Sequence, residues 1–209
     1  MNERLIQKAF YLSLFTIVYN LVEGSISVFF GLEDETLALL GFGVDSFVEV
    51  ISGLGIAHMI LRMKRNPVSS RDAFERTALK ITGIAFYILT IGLLAGAVLN
   101  VIYQTEPETT LPGIIVSSIS IATMYYLMKS KLKVGKELNS DAIIADANCT
   151  KTCFNLSIIL LGASLFYELT GIAYFDVIGS LGIAYFAFKE GKESFEKSNS
   201  NSLACSCDH

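Results

Sequence analysis

Runs of predominantly apolar residues recur six times along the chain, each close to the roughly 20 residues that a helix needs to cross the hydrocarbon core of a bilayer. They cover about Ala9–Phe30, Leu37–Leu61, Ala78–Tyr103, Leu111–Met128, Ala142–Leu169 and Ile172–Phe188. Short charged links separate them. This alternation predicts an all-α membrane protein of six transmembrane helices, with no separate soluble domain. From Glu190 to His209 the chain is rich in Ser, Lys, Glu and Asn and too polar to build a core. The expected division is therefore a membrane domain over residues 1–190 and a flexible tail over residues 191–209.

Composition agrees: 52 % of the 209 residues are hydrophobic and 17 % charged. The net charge of −4 matters less than its placement. Arg62, Lys64, Arg65, Arg71 and Arg76 lie between the second and third runs, and Lys129, Lys131, Lys133 and Lys136 between the fourth and fifth. The N-terminal segment carries Arg4 and Lys8, and the tail Lys189, Lys192 and Lys197. The opposite links hold Glu33, Asp34 and Glu35, then Glu106 and Glu108, then Glu168, without lysine or arginine. Basic links face the cytoplasm, so both termini are expected there. Met1–Lys8 is polar and the first apolar run is too long for a cleavable leader. The expected location is an integral position in a plasma membrane of bacterial type. Two cysteines lie in a hydrophobic run and two in the tail, which is not the pattern of a disulfide framework.

Candidate chemistry sits inside the apolar runs. Four residues advance a helix by about 400°, so Asp45 and Glu49 stack one turn apart on one face. Two carboxylates there repel one another and are costly to desolvate, and a divalent cation resolves both problems. Intramembrane acids mark pathways or binding sites. Cys149 and Cys153 have the same spacing, with Asp146 a turn earlier on a similar heading. Core packing is the plain alternative for two cysteines. Against it stand Asp146, Asn148, Thr150, Lys151, Thr152 and Asn155, which interrupt an otherwise apolar helix. Lys151 is offset by about 200° from Cys149 and is expected to snorkel or to pair with another helix.

Asn20 and Glu23 are further polar residues in the first span, and Asp176 stands near the outer end of the sixth. Glu23 fits either the outer part of a route or a hydrated interface. His58 reads as an interfacial residue. The tail ends Cys205-Ser-Cys207-Asp208-His209, a soft-metal chelator or an incidental binder.

The segment Thr36-Leu-Ala-Leu-Leu-Gly-Phe-Gly-Val-Asp45-Ser-Phe-Val-Glu49 resembles the second span of the cation diffusion facilitator family. Ala145-Asp-Ala-Asn-Cys149-Thr-Lys-Thr-Cys153 is similar to that family's fifth span, usually His-x-x-x-Asp, and Tyr174-Phe-Asp-Val-Ile-Gly-Ser-Leu-Gly-Ile to its sixth. The resemblance covers about residues 9–190. It implies a secondary transporter, not an enzyme, that exports divalent metal, commonly zinc, as a homodimer exchanging metal for protons by alternating access. By position it assigns the transport site to Asp45, Glu49, Cys149 and Cys153. The partners implied are a divalent metal ion, protons and membrane lipid, with no nucleic acid and no prosthetic group. The family's cytoplasmic C-terminal domain is expected to be absent, and no histidine-rich loop joins the fourth and fifth spans. The fifth-span His/Asp pair has become Cys/Cys.

That change bears on the cargo. Two thiolates and two carboxylates can form a tetrahedral Zn²⁺ site, with Zn–S about 2.3 Å and Zn–O about 2.0–2.2 Å. Cd²⁺ suits it too, while sulfur disfavours Mg²⁺, Ca²⁺ and Mn²⁺. Buried thiols in an empty site are expected to be neutral, so metal binding releases protons and supplies the coupling. A non-transporting metal sensor or accessory protein is the alternative. Catalysis has little support, because His-Glu-x-x-His and Gly-x-Ser-x-Gly motifs are both missing from the chain.

Overall fold

In the computed structural model the described residues are 3–34, 36–65 and 72–200. They form six helices: α1 (Glu3–Glu33), α2 (Leu37–Arg65), α3 (Ala73–Tyr103), α4 (Leu111–Glu137), α5 (Asp141–Thr170) and α6 (Tyr174–Asn199). The helices pack chiefly as pairs, α1 on α2, α3 on α6 and α4 on α5. Helix α2 also touches α3, α5 and α6, so it stands at the centre.

The bundle is turned inside out relative to a water-soluble one. On α1 the buried stripe is Ser13, Thr16, Asn20, Glu23, Gly24, Ser27 and Gly31. Tyr11, Phe15, Val18, Val22 and Phe29 point outward. On α3, Ile81, Ile84, Ile88 and Ile91 are likewise exposed. Lipid tails are as apolar as these side chains, so nothing drives them inward, and small residues that permit close approach form the contacts instead. Gly43 shows the limit: a Cβ there would lie 2.7 Å from the backbone nitrogen of Val28, so a larger residue would force α1 from α2.

Five helices are long and apolar enough to cross a membrane; α6, whose second half carries Lys189, Glu190, Lys192 and Glu193, is not among them. Helix α6 nevertheless continues to Asn199, nine residues into the segment expected to be a flexible tail. Glu190, Gly191, Ser194 and Ser198 recur at helical spacing and are buried, extending the stripe of Gly179, Ser180, Ile183, Ala184 and Ala187. Small residues hold this polar stretch against α3 through close contacts such as Gly191 with Tyr87. Arg76 on α3 also donates to the Ser198 carbonyl at 2.8 Å.

Three apolar clusters fill the interior among the described residues. One joins Leu39, Phe42, Phe86, Leu93, Leu156, Leu160 and Ile183. A second, around the start of α1, joins Ile6, Ala9, Ile60, Met63, Val134 and Ile143, and a third joins Met124, Leu127 and Cys153. On α5, Cys149 and Cys153 fall in sequence between Ile143 of the second cluster and Leu156 of the first, whereas on α2 Asp45 lies within the first cluster, between Phe42 and Val48, and Glu49 follows it. At the far end Asp176 caps α2, accepting from the backbone N–H of Leu37 at 2.9 Å and of Ala38 at 3.1 Å. The acid that the sequence places near the outer end of the sixth span is thus a helix cap.

Candidate metal centre

Asp45 is 3 % exposed, and Glu49, one turn on, is half-buried. Helical spacing alone accounts for their shared heading. Across from them on α5, Cys153 is 5 % exposed and its thiol faces the Glu49 carboxyl. The same thiol donates to the Cys149 carbonyl at 3.6 Å, the usual resort of a buried hydroxyl or thiol in a helix. Both cysteines are free thiols.

The four expected ligands are neighbours rather than a closed cage. Among the described residues, no three of Asp45, Glu49, Cys149 and Cys153 bring ligand atoms within 4.8 Å of one another. Cys149 is half-buried and turns towards α6, where the Lys197 ammonium donates to its sulfur at 3.8 Å. Gathering four ligands around one ion therefore requires side-chain movement, since Asp45, Glu49 and Cys153 do not lie within that distance of one another either.

Two acids beyond the expected four face this centre. Glu190 on α6 is buried and accepts from the Thr152 hydroxyl at 2.8 Å. It stands among the charged groups facing Asp45, Glu49 and Cys153. Its signal in the sequence was the small-residue stripe of α6, which runs through it, but its place beyond the last apolar run assigned it to the tail. Glu23 on α1 is 6 % exposed, accepting from Tyr19 at 2.9 Å and from Ser46 at 3.2 Å. Ser46 is the residue after Asp45, so Glu23 borders the centre and is not hydrated at an interface. Asn20 is buried one turn earlier, and neither its amide nitrogen nor its oxygen has a hydrogen-bond partner.

Asp146 has a different role from the one its heading implied. It accepts from the Lys131 ammonium at 3.0 Å, and the same ammonium donates to Thr150 at 3.0 Å. Lys131 is 1 % exposed, although the sequence placed it in a solvated basic link. Helix α4 continues past the apolar run, and Lys131 falls on the buried stripe of Met124, Leu127 and Val134. Lys151, by contrast, is exposed, in keeping with its predicted offset.

Between the last part of α2 and the start of α3, His58 Nδ1 lies 3.6 Å from both Asp72 and Glu75. Arg62 makes a two-pronged contact with Glu75, Nε to Oε1 at 3.0 Å and Nη2 to Oε2 at 3.0 Å. Asp72 and Glu75 also form the capping box that starts α3. The guanidinium and the cap already answer these carboxylates, which makes the cluster a clamp between α2 and α3. Burial and the neighbouring Glu33 and Glu108 carboxylates raise the Asp34 carboxyl above its ordinary range in the α1–α2 link. Cys205, Cys207 and His209 lie outside the described residues.

Residues 9–201 match the family described as the cation efflux transmembrane domain. An uncharacterized transporter of Methanocaldococcus jannaschii is 27 % identical over 175 residues, covering 82 % of this chain and 62 % of the relative. The manganese efflux system protein MneP of Bacillus subtilis is 25 % identical over 195 residues, covering 87 % of this chain and 64 % of the relative. The chain thus spans less than two thirds of the length of these curated relatives.

Proposed function

The chain belongs to the cation efflux family, and from that premise we propose that it exports divalent metal cations through Asp45, Glu49, Cys149 and Cys153. Zn²⁺ is the first expected cargo and Cd²⁺ the next. The exporter works as a metal/proton exchanger, with both termini in the cytoplasm and a homodimer as the working unit. One observation carries the reading: the buried Asp45 carboxyl, the half-buried Glu49 carboxyl and the buried Cys153 thiol face one another between α2 and α5, among apolar side chains such as Phe42, Val48 and Met124. Buried anionic ligands favour a cation strongly, and this one has to be mobile because the buried Lys131 directs its bonds to Asp146 and Thr150.

Binding deprotonates the thiols, and their protons leave as the metal arrives. Reprotonation from the far side then weakens the site and releases the metal. Movement of Cys149 towards Cys153 closes the cage, so ligand gathering and alternating access are parts of one motion.

Export of Mn²⁺ is the second reading. The name of the Bacillus subtilis relative raises it. Glu23 and Glu190 favour it too, adding oxygen ligands near the thiols. Flux of Zn²⁺, Cd²⁺ and Mn²⁺ into proteoliposomes separates the two. The first reading expects Zn²⁺ and Cd²⁺ to move faster than Mn²⁺, with flux rising under an imposed pH gradient. It also expects Cys149→Ser/Cys153→Ser to lower the Cd²⁺/Mn²⁺ ratio by about tenfold, or about 1.4 kcal/mol. Equal movement of all three metals, unchanged in the double variant, would show the proposed site to be wrong.

A further inference from the structure

Between α2, α3, α5 and α6 lies a cavity of about 20 Å³ whose walls include Glu49, Thr82, Cys149 and Glu190. That volume holds one water or one ion of similar size. A larger cavity of about 340 Å³ lies on the other side of Cys149 and Glu190, rimmed by Lys151, Lys189 and Glu193. Cys149, Glu190 and Lys197 line both spaces and so form the partition between them.

Three features favour the inner space as a binding site, although Glu49, Cys149 and Glu190 close on an ion only after a side-chain movement, their ligand atoms not all lying within 4.8 Å of one another. Its donors come from different helices: a carboxylate from α2, a thiol from α5 and a carboxylate from α6. The Thr82 hydroxyl, on a residue only 1 % exposed, lines the space and has no hydrogen-bond partner. An unanswered buried hydroxyl costs free energy that a ligand or its bound water recovers. Thr152 fixes the Glu190 carboxyl through one oxygen, Oε1, at 2.8 Å, which orients the group at the partition. A cation is also already represented there: the Lys197 ammonium lies 3.8 Å from the Cys149 sulfur and 3.3 Å from Glu193.

We propose that Glu49, Cys149 and Glu190 form an intake site for a thiophilic divalent cation, occupied before Asp45 and Cys153 are engaged, with the Lys197 ammonium standing at Cys149 until the metal displaces it. The proposal rests on the transport reading above and adds a step to it. Glu49 and Cys149 belong to both sites. A metal held first by Glu49, Cys149 and Glu190 advances by exchanging Glu190 for Asp45 and Cys153. Glu193 receives the displaced ammonium, since it already lies within ion-pair reach.

The test follows Cys149 itself. The full chain carrying Cys153→Ser, Cys205→Ser and Cys207→Ser retains Cys149 as its one thiol, and its reaction with a maleimide is measured in detergent against Cd²⁺ concentration. Cd²⁺ is expected to protect Cys149 although Cys153 is gone. Adding Glu190→Gln should raise the half-protecting concentration on the order of tenfold, whereas Glu190→Asp, which keeps the charge, should raise it less. Lys197→Met should lower it, because no ammonium then competes. Unchanged protection in Glu190→Gln, or no protection in the parent background, would overturn the proposal. Metal flux in Asp45→Asn and Cys153→Ser tests the transport reading separately. If both variants transport normally while Glu190→Gln weakens protection, the transport site is wrong and the intake site stands. If Asp45→Asn abolishes flux while Glu190→Gln protects as before, only the intake site fails.

Discussion

Asp146, Cys149, Thr150 and Cys153 share one polar stripe of α5, whose two edges meet different neighbours and solve the same problem in opposite ways. On one edge Asp146 and Thr150 meet Lys131, so a buried charge is matched by a fixed countercharge with bonds of 3.0 Å. On the other, Cys149 and Cys153 meet Glu49, Asp45 and Glu190, a set of acids and thiols whose nearest ammonium, Lys197, stands at Cys149. The first edge is complete within the protein. The second is completed by a cation from outside, on the reading proposed above. An intramembrane acid is therefore structural or functional according to what faces it across the helix interface, and not according to its own position in the chain.

The largest expected effect falls on the matched edge. Lys131→Met strands Asp146 without its partner, and removal of one member of a buried pair costs about 3–5 kcal/mol. Thermal unfolding in detergent should show the loss, and Lys131→Met/Asp146→Leu should recover most of it. If the single variant were as stable as the parent, the distinction between the edges would collapse.

On the other edge the effect is on transport, with folding retained. Asp45→Asn removes one ligand and is expected to lower metal flux on the order of a hundredfold, while melting close to the parent temperature because it also relieves repulsion between acids. A variant that transported normally would place Asp45 with Asp146 among the structural acids.

Asp176 offers a smaller contrast, as an acid answered by backbone N–H groups. Asp176→Ala removes both caps of α2 and should cost about 1 kcal/mol in the same melting assay, without a change in metal selectivity. A shift in the Zn²⁺/Mn²⁺ flux ratio would move this residue into the pathway. Smallest of all, Lys192→Ala breaks an exposed pair with Glu196 at 3.8 Å and should stay within about 0.5 kcal/mol. A larger loss would mean that this end of α6 is covered by something beyond the described residues.

Six helices and the i, i+4 spacing of the two acids and of the two cysteines were legible in the sequence because both are local. Hydropathy over a window marks a span, and helical periodicity puts Asp45 beside Glu49 whatever surrounds them. Lys131 and Glu190 were not legible in the same way. Both lie just past an apolar run, where hydropathy assigns a link or a tail. Only the continuation of α4 to Glu137 and of α6 to Asn199 turns them inward. Glu23 was readable as a polar residue in a span, but its bond to Ser46 required α1 against α2.

Fold class, the number of helices and the two chemistries at four-residue spacing thus follow from the order of residues, since each depends on neighbours within a turn or a span. Which acid meets a lysine, which meets a thiol and which caps a helix was decided by packing. Those partners lie on different helices, and small residues such as Gly43 and Gly191 set how closely those helices approach. That is also why Cys149 stands beside Lys197 and Glu190 rather than closed on Asp45: the spacing of Cys149 and Cys153 orients them, and the surrounding helices supply what each one meets.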